Sequence, residues 1–141
     1  MIHVNNIEQY TKFINGDAVV KFTADWCGPC KKLAPFFTKL SEEFSDKCVF
    51  LEVNIDKNDD IAKRESIRGI PLIRFFSNGK LNEELSFSGN NSDKLIANVK
   101  QFVKLIDERV ITNFGKLEIT SDDEEESEVS SLSSDTDDDK F

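Results

Sequence analysis

The chain has 141 residues, enough for one domain with a sizeable core, and a net charge of −9. That charge is localised: residues 1–119 carry 17 Lys+Arg and 17 Asp+Glu, whereas residues 120–141 carry 10 acids and only Lys140. No basic face for nucleic acid is expected, no apolar run approaches the ~20 residues that span a bilayer, and three cysteines do not make a secreted disulfide scaffold. "MIHVNNIEQY" has neither the basic region nor the apolar stretch of a signal peptide. The expected setting is a soluble protein of the cytoplasm, a reducing compartment, with no membrane or nucleic-acid partner.

In chain order, "IHV" predicts a short strand. "NNIEQYTKFING" predicts a helix with Ile7, Tyr10, Phe13 and Ile14 on its apolar side and Gly16 ending it. "AVVKFTA" reads as a buried strand, although Lys21 interrupts its apolar run. After Cys30, the positions Leu33, Phe36, Phe37, Leu40 and Phe44 mark an amphipathic helix, with a kink expected at Pro35.

"CVFLEVNID" predicts a strand and "DDIAKRES" a short helix. "PLIRFF", the "SNGK" turn and "ELSFSG" predict an antiparallel hairpin. Asn91 or Ser92 caps a last helix facing inward through Leu95, Ile96, Val99, Phe102, Val103 and Ile106. The order βαβαβαββα predicts an α/β fold, a mixed sheet with helices on both faces. Residues 1–109 form the expected domain, and residues 110–120 an extension of the last helix or a strap. The Ser-, Asp- and Glu-rich residues 121–141 cannot bury enough apolar surface to order and are expected to be a disordered tail.

The chemistry centres on Cys27-Gly28-Pro29-Cys30, lying between a strand and a helix. Pro29 suits a first helical turn, where its missing N–H has no partner to lose. Cys27 then sits at a helix N-terminus, where unpaired N–H groups and the helix dipole favour a thiolate. Two intervening residues let Cys30 close a small ring on Cys27, the arrangement needed for thiol–disulfide exchange. A zinc site of Cys27, Cys30, Cys48 and His3 lacks the usual second paired half-site, so no metal is expected. An inert crosslink is also disfavoured: a ring this small constrains little of the unfolded chain.

"FTADWCGPCKKLAPFF" resembles the active-site segment of thioredoxins. The resemblance continues through "VFLEVNIDKNDDIAKRESIRGIPLIRFFSNGK" and "FSGNN", covering roughly residues 1–108. It implies a thioredoxin fold with a five-stranded sheet and the activity of a protein-disulfide reductase. Cys27 would be the nucleophile and Cys30 the resolving thiol. Trp26, Gly28, Pro29, Ile70 and a cis Pro71 would border the substrate groove. The resemblance further implies protein disulfides as substrates, re-reduction by an NADPH-dependent thioredoxin reductase, and no cofactor of the chain's own. The alternative is a redox adaptor that binds clients through the same groove and the acidic tail, with little reductase turnover.

Two charges depart from the family pattern. Thioredoxins commonly carry a buried aspartate where this chain has Lys21, and often a lysine where it has Glu52 or Ala34. An ion pair between Lys21 and Glu52 across adjacent strands is therefore expected, tuning the cysteines' protons. Arg74 in "PLIRFF" is expected to be solvated or salt-bridged. In the tail, Ser121, Ser134 and Thr136 each precede an acid by three positions, a pattern suited to an acid-directed kinase, and the acidic block would attract a basic partner.

Overall fold

A computed structural model describes the backbone of residues 1–120 and the side chains of residues 1–112. The elements are β1 (Ile2–His3), α1 (Ile7–Ile14), β2 (Asp17–Thr23), α2 (Gly28–Glu43), β3 (Val49–Asn54), α3 (Asp59–Arg64), β4 (Leu72–Ser77), β5 (Lys80–Ser88) and α4 (Ser92–Thr120). They follow the βαβαβαββα order. The chain divides into Met1–Ile106, which holds every described strand, and Asp107–Phe141. Residues 110–120 continue α4. The acidic segment 121–141, with Ser121, Ser134 and Thr136, lies outside the described residues. No described helix is long and apolar enough to cross a membrane.

The five strands are ordered β1-β3-β2-β4-β5. β3 runs parallel to β1 and β2, while β4 runs antiparallel to β2 and β5. This topology gathers the ends of β2 and β3 and the start of β4 at one end of the sheet, where Thr23 pairs with Asn54 and Phe22 with Leu72. The segments carrying Cys27, Asp56 and Pro71 all leave or enter the sheet there.

Strand alternation sends side chains to two cores. Val19, Phe50, Ile73 and Phe75 pack under Leu33, Phe37 and Leu40 of α2 and Leu95, Val99 and Phe102 of α4. Val20, Phe22, Leu51, Val53 and Phe76 pack on the opposite face against Tyr10 and Ile14 of α1 and Ile61 of α3. Arg74 belongs to that second face. Its guanidinium bonds Glu65 through Oε1 at 3.3 Å and the backbone oxygen at 3.0 Å, so the salt-bridged alternative is the one realised.

Local signals explain the ends of the elements. The Asn6 side chain accepts from the Gln9 N–H at 2.8 Å, and Asn91, rather than Ser92, accepts from the Lys94 N–H at 3.0 Å. The β4–β5 turn places Asn78 and Gly79 at φ 57° and 78°, the paired left-handed conformation that matches the twist of a tight hairpin. A Cβ on Gly79 would also come within 2.9 Å of Asn15 Oδ1. Gly16 follows α1 without a left-handed φ; Asn15 is the C-cap, in right-handed helical conformation. α2 runs through Pro35 as one helix.

Candidate functional site

Cys27 is the N-cap of α2, with Gly28 and Pro29 opening the helix. Its Sγ accepts the Cys30 N–H at 3.2 Å, so the sulfur occupies the position where a helix N-terminus stabilises negative charge. Cys27 and Cys30 are joined as a disulfide, their Cα atoms 5.3 Å apart. Both are buried in a small apolar cluster with Ala24, against which Ile55 and Ile70 pack. Ile70 is linked to Pro71 by a cis peptide bond. The Pro71 carbonyl accepts from the Gly89 N–H at 2.9 Å, which ties this loop to the end of β5.

Trp26, the residue before Cys27, stands 68% exposed. Its indole Nε1–H donates to Asp56 Oδ2 at 2.8 Å. Asp56 is in turn held by Asn54, whose Oδ1 accepts from the Asp56 N–H at 3.0 Å and the Lys57 N–H at 3.3 Å. The Asn54 amide also donates to Asp25 Oδ1 at 3.2 Å. Sequence reasoning missed Asp56 and Asn54 as site residues. The available signal was an asparagine at a strand end, which readily bonds the backbone two residues on and shapes a turn.

Lys21 lies 2% exposed on the α2 face of β2, its ammonium 5.4 Å from the centroid of the Phe37 ring. Glu52 is its register partner on β3, as expected. The expected ion pair is not formed: among the described residues the Glu52 carboxylate approaches His3 instead, Oε1 lying 3.7 Å from Nδ1. Lys21 turns down over Phe37 while Glu52 leans toward the open edge at β1. Burial pushes the lysine's pKa below its ordinary value, and the charge of Glu52 opposes that shift from a distance.

The four residues weighed for zinc do not converge. Cys48 immediately precedes β3, whose first residue, Val49, pairs with Ala18 near the start of β2. That is the end of the sheet opposite Cys27, about 15–20 Å away at the usual rise per strand residue.

Residues 1–101 match the thioredoxin family model. The chain is 41% identical to human thioredoxin over 107 residues, covering 71% of this chain and 99% of that protein. It is 46% identical to the thioredoxin of Callithrix jacchus over 85 residues, covering 60% and 78% respectively. The solved structure of Malassezia sympodialis thioredoxin superposes with a TM-score of 0.68 at 32% identity, covering 72% of this chain and 92% of that one. Fasciola hepatica thioredoxin superposes at 0.66 with 31% identity, covering 72% and 99%. The disulfide at the head of α2 is the redox centre of a protein-disulfide oxidoreductase working by dithiol–disulfide exchange, and the chain belongs to the thioredoxin family.

Proposed function

We propose that Cys27 is the attacking thiolate and Cys30 the resolving thiol of a protein-disulfide reductase. The observation that carries this is the Cys27 sulfur at the N-cap of α2, accepting the N–H of Cys30. In the reduced chain the same N–H groups favour the thiolate. That thiolate attacks one sulfur of a substrate disulfide, forming a mixed disulfide and releasing one substrate thiolate. Cys30 then loses its proton and attacks Cys27 Sγ, which releases the second substrate thiolate and forms the disulfide seen here. Trp26, Gly28, Pro29, Ile70 and Pro71 border the groove that holds the extended substrate segment.

Two electrons from NADPH, delivered by a thioredoxin reductase, restore the dithiol, and the chain works in the cytoplasm. Its residues 1–109 are the catalytic domain, and the acidic residues after Thr120 serve as a targeting arm for a basic partner. The test is reduction of a disulfide-bonded protein with NADPH and thioredoxin reductase. Wild type and a version ending at Thr120 are expected to turn over equally, Cys27→Ser to be inactive, and Cys30→Ser to accumulate the mixed disulfide. An inactive wild type would instead favour a client-binding adaptor.

A further inference from the structure

α2 and α4 cover the same face of the sheet, and a groove of about 260 Å³ runs between their outer sides. α2 lines it with Phe36, Lys39, Leu40 and Glu43, and α4 with Ile96 and Lys100. Helical spacing brings these residues together: positions three, four and seven after Phe36 form one stripe of α2, and Lys100 is four after Ile96. The floor of the groove is apolar. Phe36 is 41% exposed, and Ile96 is only partly buried, although Leu95 and Val99 of the same helix are sealed in the core.

The rim is charged. Lys39 and Lys100 stand exposed, one on each helix, and among the described residues neither forms an ion pair. Glu43, the last residue of α2, closes the end of the groove farther from Cys27, and with it the rim keeps a net positive charge. An exposed aromatic ring between two such ammonium groups is complementary to one kind of occupant: a chain with carboxylates on both sides of an apolar side chain. Covering Phe36 with that side chain removes apolar surface from water, while the flanking acids meet the two lysines. A basic segment is repelled by both lysines, and a wholly apolar one would desolvate them without a partner.

Both helices begin at the end of the sheet that holds the redox centre. α2 starts just after Cys27, and α4 starts three residues after Gly89, whose N–H bonds the Pro71 carbonyl. Phe36 is six residues beyond Cys30 and Ile96 four beyond Ser92, so the near end of the groove lies about 6–9 Å along each helix. We propose that this groove is a docking site for client proteins, taking an acidic segment with a leucine-like side chain while the client's disulfide lies at Cys27. Lys39 and Lys100 pair with the acids, and Phe36 packs on the apolar side chain. Docking raises the local concentration of the disulfide, so it lowers the client concentration needed and leaves the chemistry at Cys27 unchanged.

This rests on the exchange reading above, and one experiment separates the two. The probe is a short peptide of acidic residues and leucine, joined by a Gly-Ser linker to a cysteine blocked with thionitrobenzoate; the control peptide has Asn, Gln and Ser in their place. Each is mixed with the reduced full chain, and release of the coloured thiolate is followed against peptide concentration. Half-saturation is expected at about 10-fold lower concentration for the acidic peptide, at the same maximal rate, as two exposed ion pairs and one covered leucine supply. High salt should narrow the gap. Lys39→Glu combined with Lys100→Glu should abolish it and Phe36→Ser should reduce it, while both variants handle the control peptide as wild type does. No gap in wild type, or a gap that survives the double charge reversal, overturns the inference. So does a gap that opens only when the acids after Thr120 are changed to Asn and Gln, since the chain's own acidic segment is then the occupant. A full chain that sediments as a dimer and is made monomeric by the charge reversal points to a second copy, and overturns it too. A wild-type chain that releases no thiolate from either peptide overturns the exchange reading itself.

Discussion

Cys27 and Cys48 are the same side chain in opposed surroundings. The Cys27 sulfur faces the N–H groups that open α2. Cys48 is 7% exposed, and its thiol is pushed up to about 12, first by burial and then by Asp17 and Asp46. Thiolate is the reactive form, so iodoacetamide at neutral pH should alkylate Cys27 of the reduced chain and spare Cys48 until it is unfolded. Peptide mass mapping over time measures this; equal labelling of both in the folded chain would contradict it. Beside Cys27, the single hydrogen bond from Trp26 to Asp56 holds an otherwise exposed indole in place. Asp56→Ala should raise the KM for a protein disulfide several-fold, since a mobile ring loses entropy on binding. It should change stability by less than about 1 kcal/mol, because the bond is exposed.

At the scale of elements, a half-buried polar knot joins α1, β4 and the end of α3. The Tyr10 hydroxyl donates to Glu65 Oε2 at 2.9 Å, and Arg74 bonds the same carboxylate from the other side. Tyr10 is fully buried, with Phe22 and Phe76 edge-on at 6.3 Å. Glu65→Ala would strand the Tyr10 phenol in the core facing α1 and α3 and leave Arg74 with the Glu65 backbone oxygen alone, and should cost about 1–3 kcal/mol in a denaturant titration. Because that core lies across the sheet from α2, disulfide exchange should survive. A loss below about 0.5 kcal/mol would mean that water satisfies both groups. This knot also marks where sequence reading stops. The hairpin at Asn78-Gly79 and the apolar stripe of α2 were legible because each is a local pattern with a physical cause. The partners of Arg74, Trp26 and Glu52 were not, since Glu65, Asp56 and His3 are set by register and loop path. Lys21 shows the limit most plainly: its strand neighbour was predicted correctly, but the direction of two side chains decided that they form no ion pair.

For the unit Met1–Ile106 as a whole, three buried ionisable groups set the alkaline shape of the stability curve. Lys21 has a folded pKa below its unfolded value of about 10.4. Between those two values the unfolded chain binds a proton that the folded chain lacks, so stability rises with pH, by at most about 1.4 kcal/mol per unit. Cys48 and Tyr10 act in the other sense, because burial raises both. Each contributes fully below its unfolded pKa, 9.0 for Cys48 and 10.0 for Tyr10, and that contribution is lost as pH climbs toward the folded value. With the disulfide intact, the Lys21 term should therefore raise stability toward pH 9.0, after which Cys48 and then Tyr10 oppose it. Lys21→Met isolates that term. Exchanging a buried, unpaired ammonium for a thioether of similar volume should stabilise the oxidised protein by about 1–3 kcal/mol near neutral pH. The advantage should shrink as pH rises, because the wild-type lysine becomes a neutral amine in the folded state. Urea titrations of both proteins at several pH values read the difference directly; an advantage that is constant with pH would show that Lys21 keeps its ordinary proton affinity inside the fold.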